Sequence, residues 1–298
     1  MASEINWFPG HMTKALRTMT EQIKNVDMVI ETCDARIPIS SRNPELNSIL
    51  QNRRRLLVLN KADLAEDSAT EEWISWYREQ GIIAIPSDAS HRKGLDRIRL
   101  ASRELCADVL KRAHDRGRIG RPIRAMVVGI PNSGKSTLIN ALCNRKIAVT
   151  GDRPGVTRGF QWAKSDSSME LMDMPGVLWP NLGSRRNQIC LTITGAVKPE
   201  IVDMTSFAYD GLNLLMKLYP KETSARYLLA LPGTPGYVED SYERFLLAAK
   251  NRGCILSGGR IDEERFSVLF LDDFKSGRIG KMTLERPEKP RLGQGGES

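Results

Sequence analysis

The sequence predicts an α/β fold with a mostly parallel sheet and helices on both faces, followed by a smaller, mostly α-helical domain. Three observations predict it. Short apolar runs alternate with polar segments of helical spacing in the first part of the chain, a pattern typical of βαβ units. A glycine-rich stretch then follows a further apolar run and opens a helix. From about residue 184 the pattern changes to helices joined by Gly and Pro.

Buried strands and charged helices alternate in the first 123 residues. Polar segments with helical spacing, such as "SATEEWISWYREQ", separate the apolar runs. A longer, strongly charged helix is expected over 94–117, and Gly120 and Pro122 then break it into a linker. The first three strands are predicted at 27–34, 55–63 and 81–88.

The same sheet continues beyond the linker. A strand at 124–130 runs directly into the glycine-rich loop and the helix "SGKSTLINALCN". A loop at 149–159 then precedes two more strands, 160–165 and 169–176. The tail is rich in Pro and Gly and has no core-forming residues, which predicts disorder. The predicted divisions are a first domain at 1–183, a helical domain at 184–285 and a disordered basic tail at 286–298.

Composition narrows the functional classes. The 298 residues carry a formal net charge of +8, which favours an anionic partner such as nucleic acid. The five cysteines are widely spaced with no CxxC pair, so we expect a reduced, cytoplasmic setting and no zinc module. No stretch approaches the roughly 20 apolar residues of a membrane span, and the N-terminus does not resemble a signal peptide. We expect a soluble protein with no membrane partner.

The stretch "GIPNSGKST", residues 129–137, matches the G-x-x-x-x-G-K-[ST] phosphate loop in the place that motif requires, after a strand and before a helix. Its glycines allow successive backbone N-H groups to face a phosphate, and the helix N-terminus favours anions. Lys135 reaches the terminal phosphates, and Ser136 offers its hydroxyl to Mg²⁺. The predicted nucleotide contacts here are Pro131, Asn132, Ser133, Gly134, Lys135, Ser136 and Thr137.

Two further positions suit a triphosphate site. In "DMPG", Asp173 ends a predicted strand and suits the Mg²⁺ shell, while the N-H of Gly176 suits the γ-phosphate. Thr157 lies in a Gly/Pro-rich loop, where a threonine can close over Mg²⁺ when γ-phosphate is present. Taken alone, "DMPG" could be a turn and Thr157 an ordinary polar residue. Their order relative to the phosphate loop favours the functional interpretation.

A base-reading loop is predicted much earlier, in "LLVLNKADL" at residues 56–64. Asn60 and Asp63 of "NKAD" follow a buried strand, so Asp63 lies at the carboxyl edge of the sheet, where ligands bind. A carboxylate there accepts from both the ring N-H and the amine of guanine, and adenine offers no such donor pair. Lys61 lies along the base. The next strand ends in "SDASHRKG", where Asp88 precedes Ala89, whose N-H can meet the guanine carbonyl.

The order of these motifs is reversed, because the base-reading loops precede the phosphate loop. The sequence therefore predicts a circularly permuted P-loop GTPase domain of the translation-factor-related class, with the new join at 94–123. A parallel sheet survives such rejoining because loops tolerate cutting and termini lie at the surface.

The motifs together closely resemble the ribosome biogenesis GTPase A (YlqF/RbgA) family over nearly the full chain. The resemblance is carried by "WFPGHM", "DARIPISSRNP", "NKAD", "GIPNSGKSTLIN", "TGDRPGVTR", "DMPGVLWP" and "RGCILSGGRID". It implies assembly of the large ribosomal subunit, GTP hydrolysis stimulated by ribosomal particles, and a helical C-terminal domain that binds rRNA. We expect GTP, Mg²⁺ and K⁺ as ligands, and a monomer off the ribosome.

One residue differs from the catalytic pattern of many GTPases. Val177 stands directly after "DMPG", where a Gln often orients the attacking water, so slow intrinsic hydrolysis is expected. The resemblance implies His11 as a catalytic candidate beside Lys135 and Thr157; alternatively, "FPGHM" is a hydrophobic turn that leaves His11 exposed. It also implies that Asn132 helps to hold K⁺. Two smaller departures are Asp88, where many GTPases have Ser, and Met174 within the "DxPG" core.

Basic residues of the helical domain are candidates for RNA phosphate contacts. Two alternative functions stay open: an RNA-binding scaffold whose nucleotide site is only structural, and a permuted GTPase that acts on the small subunit. The candidate RNA contacts are Arg185, Arg186, Lys250, Arg252, Arg260, Lys275, Arg278 and Lys281.

Overall fold

The computed structural model of the chain describes residues 10–50, 53–144, 161–165 and 168–288, without the side chains of His11 and Gln161. The predicted loop that holds Thr157 lies outside these residues, as does most of the predicted tail. No helix in the described part is long and apolar enough to cross a membrane.

Six strands form one sheet in the order β3-β2-β1-β4-β6-β5. All neighbours pair in parallel except the edge strand β5, which pairs antiparallel to β6. The predicted α/β class with a mostly parallel sheet is confirmed. The strands are β1 (Met28–Asp34), β2 (Arg54–Asn60), β3 (Ile83–Ser87), β4 (Ile123–Gly129), β5 (Gln161–Lys164) and β6 (Met169–Asp173).

Helices cover both faces of this sheet. Alternate residues of each strand point to opposite faces, so Met28 and Ile30 pack with α4 and α6, while Val29 packs with α1 and α2. Strand β1 is buried along its whole length, as expected for a parallel strand covered on both faces. The helices are α1 (Gly10–Gln22), α2 (Glu45–Ile49), α3 (Asp67–Glu79), α4 (Leu95–Leu105), α5 (Ala107–Asp115) and α6 (Lys135–Cys143).

The long helix expected over 94–117 is two helices in the structure. Cys106 takes φ −107° and ψ 13° between them, outside the helical region, and its side chain is fully buried. Leu95, Ile98 and Ala101 of α4 pack on the sheet, and α5 leads from Cys106 to the loop before β4. Sequence periodicity alone did not reveal it, because the apolar spacing continues through the break.

The remaining helices pack around an aromatic core that includes Phe207, Tyr227, Phe245, Phe266 and Phe270. Acidic or hydroxyl side chains cap four of them, and each accepts from a backbone N-H of the first turn. The helices are α7 (Arg185–Ile193), α8 (Met204–Leu218), α9 (Pro220–Tyr227), α10 (Ser241–Asn251) and α11 (Glu263–Lys275).

The helical part and the sheet part share apolar contacts. Met12, Ile37, Ile130 and Val177 belong to the same buried cluster as the aromatic core. Beyond α11 the chain returns along the sheet part: the N-H of Met282 donates to the Leu64 carbonyl (3.0 Å). This contact lies directly beside the predicted base-reading loop.

The return segment continues to the start of the predicted tail. The N-H of Leu284 donates to the Arg36 carbonyl (2.8 Å), and the indole of Trp73 donates to the Glu285 carbonyl (3.0 Å). Arg286, the first residue of the predicted tail, pairs with Glu66 at 2.5 Å. These contacts hold the segment against the edge of the sheet that carries the candidate site.

Candidate nucleotide-binding site

The carboxyl ends of four parallel strands converge at one edge of the sheet. Asn60 ends β2, Ser87 ends β3, Gly129 ends β4 and Asp173 ends β6. Ligands of open α/β sheets bind at this edge. Residues of the base-reading loops and of the phosphate loop therefore lie at the same edge of the sheet, although they are far apart in the sequence.

Asn60 joins the base-reading loop to the phosphate loop. Its side-chain Nδ2 donates to the carbonyl of Ser133 (3.1 Å), 73 residues away, and its Oδ1 accepts from the N-H of Ala89 (3.3 Å). Asn60 is 2% exposed. A Cβ added at Gly134 would lie 2.0 Å from Nδ2 of Asn60, so only glycine fits there. One buried amide thus holds three loops in a fixed relation.

The phosphate loop has the backbone geometry of an anion cradle. Gly129 has φ 151° and Gly134 has φ 86°, and Gly134 caps the N-terminus of α6. The N-terminal end of a helix attracts negative charge. Asn132 also adopts a left-handed conformation, with φ 58°. The loop therefore turns tightly around a space that suits phosphate.

Lys135 is buried beneath this loop. Its Nζ donates to the carbonyl of Ile130 (2.8 Å). Burial lowers the pKa of Lys135 to about 8, with the nearby Asp173 carboxylate raising it and Lys61 lowering it further. A buried ammonium whose charge is poorly compensated gains when a polyanion arrives.

Asp173 and Ser136 fit a magnesium ion. The hydroxyl of Ser136 donates to Oδ2 of Asp173 (3.2 Å). The other oxygen, Oδ1, is buried and has no hydrogen-bond partner in the described part of the chain. Burial raises the pKa of Asp173, against the opposing effects of Lys135 and Ser136. A buried, unpaired carboxylate oxygen beside a hydroxyl is a suitable donor set for a hard cation.

Gly176 lies directly against the phosphate loop. A Cβ at this position would come within 2.7 Å of the Pro131 nitrogen and 2.9 Å of the Lys135 Nζ. The next residue, Val177, is 1% exposed and belongs to the apolar cluster shared with the helical part. The side chain at the position where many GTPases place Gln therefore packs in the core, while its backbone N-H donates to the Gly129 carbonyl of the phosphate loop (3.3 Å).

Lys61 is held at the base-reading end by an ion-pair network. Its Nζ lies 3.1 Å from Oδ2 of Asp34, and the guanidinium of Arg36 binds the same carboxylate at 2.8 Å. Burial alone would raise the pKa of Asp34, but Arg36 and Lys61 outweigh it and hold that pKa well below its usual value. The ammonium end of Lys61 is thereby fixed, with its backbone at φ 57°.

Sequence analysis missed the structural role of Asp34 and Arg36. Arg36 also donates to the carbonyl of Phe274 (2.8 Å), at the end of α11. The network therefore ties the base-reading loop to the helical part. Both residues lie in "DARIPISSRNP", which carried the family resemblance, and a charged pair directly after a buried strand was the available signal.

Asp63 and Asp88 lie side by side with His91. One ligand atom from each of the three residues lies within 4.8 Å of the others. The Asp88 carboxylate is engaged locally: Oδ1 accepts from the His91 N-H (3.0 Å) and Oδ2 contacts its Nδ1 (2.8 Å). The Asp63 carboxylate has no hydrogen-bond partner among the described residues. Asp63 is thus the carboxylate that can face a base, and Asp88 shapes the loop behind it.

The remaining predicted site residues are His11, Thr157, Asn132 and Thr137. The backbone of His11 lies in the first turn of α1, but its side chain falls outside the description, as does all of Thr157. Asn132, the candidate potassium ligand, donates through Nδ2 to the carbonyl of Gly195 (2.7 Å) in the helical part. Thr137 lies in the first turn of α6.

Several candidate RNA contacts are already engaged within the chain. Arg185 pairs with Asp210 at 2.5 Å and lies over the ring of Phe207. Arg186 donates to the Leu284 carbonyl, Arg278 pairs with Asp272 and Asp273, and Lys281 pairs with Asp67. Lys250 and Arg260 are exposed.

Comparisons with known proteins agree with this geometry. Residues 124–222 match the family model described as 50S ribosome-binding GTPase. That stretch starts at β4, so it contains the phosphate loop but not the base-reading loop at residues 60–63. A permuted order accounts for this partial match, because in this chain the base-reading loops precede the phosphate loop in the sequence.

Full-length relatives cover both halves. The chain is 45% identical over 286 residues to ribosome biogenesis GTPase A of Bacillus cereus, covering 96% of this chain and 95% of the relative. It is 43% identical to the protein of the same name from Priestia megaterium, covering 96% and 98%. The crystal structure of GNP-bound YlqF from T. maritima has the same fold, with a TM-score of 0.66, 23% identity and coverage of 93% and 100%.

Proposed function

This chain belongs to the ribosome biogenesis GTPase A family, and from that premise we propose that its GTP cycle serves assembly of the large ribosomal subunit. It is a GTPase of ribosome biogenesis. In the GTP state it binds immature large subunits, and hydrolysis releases it. It acts in the cytoplasm and is a monomer off the ribosome, which analytical ultracentrifugation of the purified protein tests.

A single observation carries the proposal: the base-reading and phosphate-binding halves meet at one edge of the sheet. Asn60 bonds both Ser133 and Ala89, and Asp63 follows three residues after Asn60, beside Asp88 of the second base loop. The guanine ring N-H and amine donate to Asp63, and the Ala89 N-H donates to its carbonyl oxygen. The Lys135 ammonium binds the terminal phosphates. These contacts select GTP over ATP.

Residues around Asp173 support a magnesium-dependent reaction. Mg²⁺, when bound, neutralises charge on the β- and γ-phosphates. Ser136 would supply a hydroxyl ligand to this ion, and the unpaired oxygen of Asp173 would hold its hydration shell. Thr157 would add a second hydroxyl ligand in the GTP state. The Gly176 N-H orients the γ-phosphate, because the phosphate loop and Gly176 are in contact.

Hydrolysis is slow until a ribosomal particle binds. Val177 is buried in the core and cannot orient water, so the water-positioning group comes from another part of the chain. We assign that role to His11, whose backbone lies in the first turn of α1 next to the buried Met12. An imidazole positions water by hydrogen bonding. Particle binding brings this segment to the γ-phosphate.

Potassium and RNA complete the proposed assembly. Asn132 would help to hold K⁺ beside the phosphates, and its hydrogen bond to the Gly195 carbonyl links the same side chain to the helical part. The exposed cations Lys250 and Arg260 and the half-buried Lys275 contact rRNA phosphates. Such contacts are sensitive to salt and independent of base sequence.

The proposal is tested by GTP turnover. Wild-type protein is assayed alone and with immature large subunits, mature large subunits or small subunits, in KCl and in NaCl. We expect the greatest stimulation from immature large subunits in KCl. Equal stimulation by small subunits would favour the small-subunit alternative, and no stimulation by any particle would favour the RNA-binding scaffold. The Lys135→Ala variant is the control for turnover by contaminants.

A further inference from the structure

The segment that joins the two halves of the permuted sheet is strongly basic. Between residues 95 and 124 it has nine Lys or Arg side chains against four Asp or Glu, a net +5 of the chain's +8. It forms α4, α5 and the loop into β4. Because β4 begins at Ile123, this loop lies at the amino ends of the parallel strands, opposite the nucleotide site. The function proposed above makes no use of it.

A cleft of ≈ 580 Å³ opens at this end of the sheet. Five of the residues that line it are Arg, Lys or His, and none is Asp or Glu. Its volume falls within the range of ligand-binding pockets. The basic lining residues are Arg103, Lys111, His114, Arg118 and Arg121.

These side chains follow one face of the α4-α5 pair. Lys111 and His114 are three residues apart on α5, so they share a face of that helix. Arg103 lies on α4, before the break at Cys106, and Arg118 follows α5 in the loop. The cations therefore form a row along α4, α5 and the following loop, and several charges in one cleft suit several phosphates, not one.

The row is available for binding. Arg103, Lys111 and Arg118 have exposed side chains with no ion-pair or hydrogen-bond partner among residues that the structure describes. Arg121 is different: Asp27 holds its guanidinium at 2.9 and 3.0 Å, which fixes one wall of the cleft. In the helical part, by contrast, Arg278 and Lys281 already pair with carboxylates.

Neighbouring carboxylates leave Arg103, Lys111 and Arg118 of the row unpaired among the described residues. Asp108 pairs with Arg54 and Arg112, which do not line the cleft. Asp115 lies 3.8 Å from Nδ1 of His114. The loop beyond α5 also presents Ile119, which is 80% exposed between Arg118 and Arg121. An apolar tip with cations on both sides suits a nucleic-acid groove better than a small anion.

We propose that this cleft binds the phosphodiester backbone of structured rRNA, as a second RNA contact at the end of the sheet opposite the nucleotide site. The inference rests on the proposed function. Contact is made through phosphates and is therefore independent of base sequence. Two separated RNA surfaces let one protein hold two rRNA segments of an immature particle in a fixed relation.

The test uses the full-length double variant Lys111→Glu/Arg118→Glu. Binding to deproteinised large-subunit rRNA and to immature large subunits is measured from 50 to 300 mM KCl. Loss of two phosphate contacts makes the negative slope of log K against log salt less steep by about 1.4 to 1.8. We expect at least tenfold weaker binding at low salt on both targets.

Lys24→Glu/Arg78→Glu is the matched control. It makes the same change in net charge at exposed residues that do not line the cleft. GDP affinity, measured in both variants, reports that the sheet is folded. We expect the control to bind rRNA like the wild type and both variants to bind GDP like the wild type.

Equal rRNA affinity of the two variants would overturn the inference. So would loss of particle binding with intact binding to deproteinised rRNA, since a ribosomal protein would then occupy the cleft. A wild-type protein that binds neither target would instead refute the proposed function itself, which keeps the two failures distinct.

Discussion

The buried amide of Asn60 offers the sharpest test of how the two halves are joined. In Asn60→Ala, the Ser133 carbonyl and the Ala89 N-H both lose their partner. A buried group left without a hydrogen bond costs about 1–3 kcal/mol. We take the lower part of that range, about 1–2 kcal/mol, for each group. The expected loss in the free energy of unfolding is about 2–4 kcal/mol.

Urea unfolding followed by circular dichroism measures this loss, and titration with a fluorescent GDP analogue measures the site. We expect GDP affinity to fall more than tenfold, because both loops lose their common anchor. Asn60→Asp keeps the acceptor for Ala89 but buries a carboxylate oxygen against the Ser133 carbonyl, so it should be no more stable than Asn60→Ala. Asn25→Ala is the control, since that side chain bonds only the exposed Gln22. Unfolding energy and affinity of Asn60→Ala within about 0.5 kcal/mol of wild type would refute the reasoning.

Three further predictions follow from the geometry. Gly134→Ala should abolish nucleotide binding because its Cβ would meet Asn60, whereas Gly233→Ala, with similar φ and open space, should lose only about 1–2 kcal/mol of stability and keep its affinity in GDP titrations. Asp173→Asn should weaken Mg²⁺ binding about 10–100-fold in titrations with a GTP analogue, with GDP binding in EDTA unchanged. Arg36→Met leaves Asp34 buried without its main partner and should destabilise the fold by about 3–5 kcal/mol at pH 7. The lowered pKa of Asp34 gives stability above its unfolded value near pH 4, so that deficit should shrink in urea unfolding below pH 4.

Local patterns were enough to predict the sheet and the order of its motifs. Apolar runs marked the buried strands, and β2 ends at Asn60 because Lys61 turns the chain with φ 57°. The permuted order could also be predicted from the sequence, since each motif directly follows a predicted strand. That order predicted that the base-reading loop and the phosphate loop meet at one edge of the sheet, but not that Asn60 bonds Ser133 there.

Contacts between distant segments were not predictable in the same way. Arg36 bonds Phe274 across 238 residues, and Met282 bonds Leu64. Such pairs depend on how the helical part packs against the sheet, and no local spacing encodes that packing. The burial of Val177 is similar, because its neighbours come from the helical part. The free charges of the cleft also required the structure, since the sequence does not show which cations are paired.

The most direct test of the account is a crystal structure with a non-hydrolysable GTP analogue and Mg²⁺. The account predicts the guanine ring on the carboxylate of Asp63, the phosphates over Lys135, and the metal ion between Ser136 and Asp173. A guanine ring bound away from Asp63, with the phosphates still in the loop, would contradict the claim that the two separated stretches form one site.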